Sequence, residues 1–215
     1  MSNLIKVGLS IAIIGYILSK FDLLAVWEII LNANFGLILA ALLVQILSQT
    51  VAAYRWSLIM AMLKFQHAFG FYLRSYFKGS LFNQVLPTSI GGDAFRIAEV
   101  SAHGGLIREA FYGVFIDRIV GLVGLLLLNL LANSIQSDLM PHQVFMAINI
   151  ILILALFGLF VLMAIHKFSV FNQYKITRPF YQLSERFRFI YKTPKRISQQ
   201  LGLSILIHLL SMIAI

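Results

Sequence analysis

The sequence predicts an all-α fold: a polytopic helical membrane protein with re-entrant half-helices. Composition is the first ground, since 60% of the 215 residues are hydrophobic, 12% are charged and the mean hydropathy is +0.89, more apolar surface than one soluble core buries. Long apolar runs separated by charged loops are the second, because in a bilayer such runs are spans. The third is a helical pattern from Phe71 to Gly105 that is broken by Pro87, Gly91 and Gly92. These observations exclude a water-soluble enzyme, and the absence of cysteine excludes disulfides, thiolate nucleophiles and cysteine-bound metal.

Leu4 to Ser19 would rise about 24 Å as a helix, short of an apolar layer about 30 Å thick unless Lys6 snorkels. It resembles a secretory signal, but Ser19-Lys20-Phe21-Asp22 offers no small-x-small cleavage site, so a retained anchor is the reading. Residues 22–34 set Leu23, Trp27, Ile30 and Leu31 on one face against Asp22 and Glu28, the pattern of a short interfacial helix. Phe35 to Leu63 predicts one helix of about 43 Å whose Tyr54-Arg55-Trp56 end emerges among headgroups. Ala110 to Leu131 and the uncharged Val144 to Ile165 are further spans. Leu201 to Ile215 reaches only about 22 Å, which suggests a piece of a longer protein.

Seven of the nine net positive charges fall between His166 and Gln200, which marks a basic cytoplasmic loop over 166–200 within a single transmembrane domain, 1–215. Basic loops inside give a consistent plasma-membrane topology with a cytoplasmic N-terminus, provided that residues 64–109 enter and leave by one face. Within the loop, Phe180, Leu183, Phe187, Ile190 and Tyr191 recur at helical spacing. They form either a basic amphipathic helix resting on anionic lipid or part of an ordinary solvated loop.

The stretch around Leu86-Pro87-Thr88-Ser89-Ile90-Gly91-Gly92 predicts two half-helices joined by a bend, tolerated in a membrane only where protein buries it or a wet cavity meets it. Asp93 is placed to cap the second half-helix, Ala94 to Ala102. Arg96 then falls in the first turn, where the helix dipole disfavours a cation unless a phosphate or carboxylate joins it; the alternative is an ion pair to Asp93 or Glu99. Asp117-Arg118 lies about 10 to 12 Å into a span that starts at Ala110. Adjacent residues point to different faces, so each needs a partner from elsewhere, with Asp93, Glu99, Arg55 and Arg96 as candidates; otherwise the span starts later and both lie at the interface. The five histidines show no metal-ligand spacing, no Walker loop or nucleophile elbow is present, and Asn129 and Asn149 read as interhelical contacts.

The ordered set Tyr54-Arg55-Trp56, Asn83, Leu86-Pro87, Gly91-Gly92-Asp93 with Arg96, then Asp117-Arg118 resembles the lysylphosphatidylglycerol synthase transmembrane family over nearly all of the chain. The Leu-Pro-x-x-x-Gly-Gly-Asp-x-x-Arg core carries most of that likeness. The resemblance implies a flippase-like domain that moves a lipid with a charged headgroup between leaflets, without a cofactor. It also implies further helices after Ile215, and it does not carry over aminoacyl-transfer activity. The expected partners are membrane lipids with anionic or zwitterionic headgroups, a second copy of the chain or a membrane-bound synthase, and no nucleic acid. On this reading Arg96 and the amides after Gly91-Gly92 hold a phosphate. Arg55 and Arg118 add positive potential, Asp93 and Asp117 fix the arginines or meet an amino group, and Asn83 belongs to the same set. Pro87 and the glycines keep the backbone open. A membrane enzyme with Asp93 or Asp117 as general base and a non-catalytic partner subunit are the competing expectations.

Overall fold

The computed structural model describes residues 8, 12, 13, 15, 16, 19–85, 90–104, 106–135 and 141–214. Most of the expected first span, Leu4 to Ser19, and Pro87 with its bend lie outside the described residues. The chain forms two units, Met1–Leu43 and Val44–Ile215.

In the first unit, α1 (Leu23–Leu31) begins where the Asp22 carboxylate accepts from the amides of Leu24 at 3.0 Å and Ala25 at 3.2 Å, satisfying two of the four donors left over at a helix start. Trp27, Ile30 and Leu31 are all exposed, as an interfacial helix leaves its apolar face. The chain continues into α2 (Phe35–Met62).

The second unit adds α3 (Phe69–Val85), α4 (Ile90–Ala102), α5 (Ile107–Ile135) and α6 (His142–Ala164), then a 3-10 turn (Ile165–Lys167), α7 (Val170–Gln173), α8 (Arg178–Ile190) and α9 (Pro194–Ile213). Among the described residues, three helical stretches are long and apolar enough to cross a membrane: Phe35–Met62, Ile107–Ile135 and His142–Lys167. By contrast α3 and α4, with 17 and 13 residues, reach only about 26 and 20 Å, less than the hydrocarbon thickness. They run antiparallel, as the pairs Asn83 with Gly92, Phe82 with Phe95 and Lys78 with Glu99 establish. The chain therefore reverses between Val85 and Ile90, so that α3 and α4 form a hairpin. Gly104, at φ +96°, then ends the hairpin in the left-handed conformation that glycine adopts without penalty.

The spans differ in what covers them. No described residue of α6 is buried, and its Asn149 amide is satisfied by its own Phe145 carbonyl at 3.0 Å. Asn129 does the same with Leu125 at 2.9 Å, so among the described residues the amide nitrogens of both asparagines donate within their own helices, a carbonyl four residues back being a near acceptor. Helix α5 is the central element. Trp56, Met60, Val100, Ala110 and Val114 form one core around it, and Ile59, Ile116, Ile119, Leu183, Phe187 and Ile190 form another. Its small residues permit close approach in the manner of membrane helix pairs: Gly113 faces Met60, Gly121 faces the Arg55 guanidinium and Gly124 faces Ser204.

Two expectations change. Tyr54-Arg55-Trp56 is not an outward-facing set: Trp56 is fully buried in the protein and Arg55 is 5% exposed, leaving Tyr54 alone outward. The basic segment is neither a solvated loop nor a helix lying on lipid. Leu183, Phe187 and Ile190 of its apolar stripe pack into the protein, while Phe180 stays half-exposed. Spacing defines an apolar face but not what covers it. Helix α8 is fixed at two points. Ser184 donates to the Met163 carbonyl at 2.6 Å and accepts the His166 amide at 2.9 Å. Arg186 forks onto the Glu109 carboxylate, with its guanidinium 4.3 Å from the centre of the Tyr112 ring.

Its hydrogen bonds to the Glu109 carboxylate hold the Arg186 guanidinium above the ordinary arginine value. A raised pKa adds stability that is fully present below the unfolded value and is lost only as pH rises through the folded one, so the arginine side of this clamp is constant across physiological pH. Glu109→Gln replaces a charged fork with a neutral acceptor and is expected to speed limited trypsin cleavage after Arg186 and Arg188 several-fold, read by mass spectrometry. An unchanged cleavage rate would show that packing alone seats α8.

Candidate functional site

Asp117 lies ten residues into α5, about 15 Å along the helix, and is 1% exposed. An ion at that depth is stable only when paired and hydrogen-bonded. Its Oδ1 accepts from Arg55 Nε at 2.9 Å and its Oδ2 from Arg96 Nη1 at 3.5 Å. Arg55 is otherwise spent on the Asp117 carbonyl at 3.1 Å and Ser204 Oγ at 2.5 Å. The row continues outward from Arg96, whose Nη2 donates to Asp93 Oδ1 at 2.6 Å. Asp93 in turn receives Arg118 Nε at 2.8 Å and Nη2 at 3.0 Å. The charges thus alternate from Arg55 through Asp117, Arg96 and Asp93 to Arg118, three guanidiniums to two carboxylates. The side chains of Arg55, Asp117 and Arg96 are buried, and exposure then rises to 21% for Asp93 and 49% for Arg118.

Arg96 is seated between two aromatic rings, 4.9 Å from the centre of Trp56 and 4.7 Å from that of Tyr76, cation–π contacts that compensate part of its lost hydration. Beside it a polar cavity of about 140 Å³ is lined by Gln49, Tyr76, Ser80, Asn83, Asp93, Arg96 and Arg118, with Gly79 at its wall. Gln49 and Ser80 are joined at 3.0 Å. Lys78 and Glu99 neutralise each other at 2.8 Å.

The structure brings Arg55, Asp93, Arg96, Asp117 and Arg118 into one network, and it corrects the local picture of the half-helix. Helix α4 begins at Ile90, so Asp93 is inside the first turn rather than capping it, and Arg96 stands in the second turn. The dipole falls off within one turn, so the misplaced-cation argument does not apply; ion pairs hold Arg96. The Gly92 amide is taken by Asn83 Oδ1 at 2.7 Å, and neither Gly91 nor Gly92 lines the cavity. What Gly92 provides is close approach: it crosses α3 at Gly79, where a Cβ on either glycine would meet the other's carbonyl. Arg55 and Asp117 also stand behind the cavity wall rather than in it.

Gln49, Tyr76, Gly79, Ser80 and Ser204 were not singled out by the sequence. Tyr76, Gly79, Ser80 and Asn83 recur at i, i+3, i+4 and i+7, one helix face. That spacing was available, but being small or uncharged these residues stood out less than the arginines.

No curated protein and no solved structure matches this chain. The family described as "Lysylphosphatidylglycerol synthase TM region" matches residues 3–215, and with its all-α architecture and membrane-length helices the chain belongs to that family as a multi-pass membrane protein.

Proposed function

We propose that the protein binds a membrane lipid with an anionic or zwitterionic headgroup, seats the headgroup phosphate in the polar cavity and carries the lipid between leaflets. One observation supports this most: two guanidiniums, Arg96 and Arg118, line the polar cavity together with neutral hydrogen-bonding groups, at the outer end of a row of ion pairs whose inner members are buried. Charged donors at a partly buried polar site favour an incoming anion. Arg96 and Arg118 supply charged donors. Gln49, Ser80 and Asn83 supply neutral hydrogen-bonding groups for the rest of a polar headgroup. Arg55 and Asp117 act from behind by holding Arg96 in place.

The short hairpin α3–α4 contributes Tyr76, Ser80, Asn83, Asp93 and Arg96 to the cavity. The net positive charge of the basic segment after α6 supports a plasma-membrane reading with that segment on the cytoplasmic side, under the positive-inside rule. An enzyme reading gains no support from the carboxylates themselves: Asp93 and Asp117 each accept from two arginines, which occupies the oxygens that a general base would turn towards a substrate.

Arg96→Ala and Arg118→Gln are expected to lower the phospholipid retained through purification, the first about tenfold or more and the second a few-fold, in line with the loss of charged hydrogen bonds. Arg108→Gln, at an exposed position, is the control. Lipid is weighed by mass spectrometry on monodisperse protein. Equal retention by the wild type and both cavity variants would overturn the reading.

A further inference from the structure

Around the polar cavity, the groups that accept strongly are already engaged by the protein itself. Asp93 is the one carboxylate among the described residues that line it. Its Oδ1 receives Arg96 Nη2 at 2.6 Å and Arg118 Nη2 at 3.0 Å, and its Oδ2 receives Arg118 Nε at 2.8 Å. Asn83 Oδ1 accepts the Gly92 amide at 2.7 Å, and Gln49 Oε1 accepts the Ser80 hydroxyl at 3.0 Å. An amide side chain whose oxygen is taken has its NH2 group left, a donor. Asn83, Gln49, Arg96 and Arg118 thus all offer N–H, and only the uncharged hydroxyls of Tyr76 and Ser80 remain as acceptors among these side chains.

The aromatic faces are engaged in the same way. A ring face is the other group that holds an ammonium in a partly dry site, and the rings of Trp56 and Tyr76 both hold the Arg96 guanidinium, at 4.9 and 4.7 Å. The protein therefore fills both kinds of cation receptor, carboxylate and ring, with its own arginines. A lining rich in charged N–H donors suits an oxyanion, which only accepts. An ammonium only donates, and here it would meet two guanidiniums and no carboxylate that is not already paired. Only two carbons separate the ammonium of an ethanolamine headgroup from its phosphate, so a phosphate seated beside Arg96 and Arg118 would bring that second cation with it. An unfavourable pairing of this kind discriminates between ligands as well as an added contact does.

We infer that the cavity selects an acidic headgroup, one whose oxyanion is its only charge, and rejects a headgroup that also carries an ammonium. This selectivity rests on the headgroup reading given above and narrows it.

The test presents the purified full chain with detergent micelles that contain equal amounts of phosphatidylglycerol and phosphatidylethanolamine with identical acyl chains, and counts retained lipid by mass spectrometry. Phosphatidylglycerol is expected in about tenfold excess. Asn83→Asp keeps an oxygen for the Gly92 amide and replaces the NH2 donor with a second carboxylate oxygen; Gln49→Glu does the same beside Ser80, from α2. Each should cut the ratio about tenfold, losing phosphatidylglycerol and gaining phosphatidylethanolamine, whereas a collapsed site would lose both. Lys195→Gln, in the exposed basic segment, should leave the ratio unchanged; a fall equal to that of the cavity variants would assign the preference to the surface and overturn the inference. Millimolar inorganic phosphate should not displace the phosphatidylglycerol, and displacement would make the free anion the occupant and overturn selection of a lipid. Equal retention of the two lipids, or a ratio that neither cavity variant moves, would overturn the selectivity. Arg96→Ala separates the two failures: equal retention that it lowers for both lipids leaves the headgroup reading standing, and retention that it does not change removes that reading too.

Discussion

Asp117→Asn is expected to be among the most damaging single substitutions in this protein, lowering its thermal midpoint in detergent by about 10 °C. The carboxylate is 1% exposed and is the only described acceptor between Arg55 and Arg96. Asparagine keeps one carbonyl oxygen for one guanidinium but turns an amide donor towards the other. Two cations then remain in a low-dielectric interior with one formal charge fewer to offset them, the situation in which breaking a buried pair costs about 3–5 kcal/mol. The companion double variant, Arg55→Met with Asp117→Leu, removes both charges at similar volume. It should recover most of the loss, because Arg96 keeps Asp93 at 2.6 Å and its two aromatic rings, and Ser204 still donates to the Val120 carbonyl at 3.1 Å. Melting of Arg55→Met, Asp117→Leu and the double variant gives the coupling energy directly. Additive losses would mean that Asp117 matters through its shape and not its charge.

The parts of this architecture that depend on local chemistry were readable from the sequence. Spans follow from runs of apolar residues, and the observed Phe35–Met62 and Ile107–Ile135 differ from the expected helices by a few residues at their ends, where helix boundaries are softest. The hairpin between Phe69 and Ala102 was foreshadowed by the broken pattern around Pro87. Asp117-Arg118 could be recognised as needing separate partners because neighbours on a helix point apart, and the structure gives Asp117 to Arg55 and Arg96 but Arg118 to Asp93.

What was not readable depends on which faces meet. A cation in an aromatic setting, Tyr54-Arg55-Trp56, has the composition of an interfacial belt, and only tertiary packing reveals that Trp56 and Arg55 turn inward. The stripe on α8 has the same apolar spacing whether lipid or protein covers it. Helix start positions near glycine are also ambiguous, since Gly91 and Gly92 can end a helix or lie inside one that must cross another closely; the Asn83–Gly92 bond and the Gly79 crossing decide for the second.

That crossing leads to the second large effect. Gly92→Ala adds a single methyl group, yet it is expected to separate α3 from α4 and to lose about 3 kcal/mol, with Gly92→Val worse. The new Cβ would run into the Gly79 carbonyl and stand 2.7 Å from Asn83 Oδ1. Backbone cannot turn away as a flexible side chain can, so the helices must shift, and the 2.7 Å bond from the Gly92 amide to Asn83 is lost with the shift. Arg96, one turn further on, moves with α4, so the polar cavity should open and its retained phospholipid should fall together with stability. Gly202→Ala is the matched control. Nothing lies within 4 Å of its added Cβ, and alanine in a helix interior is favoured over glycine by up to about 1 kcal/mol, so that variant should melt at or above the parent. Because the chain has no cysteine, the separation itself can be read with an introduced pair, Phe82→Cys and Phe95→Cys, at positions whose rings now stack at 4.7 Å. Efficient disulfide formation in the otherwise unaltered background and its loss when Gly92→Ala is added would tie the stability change to this crossing; equal yields in both would assign the role of Gly92 to something other than close approach.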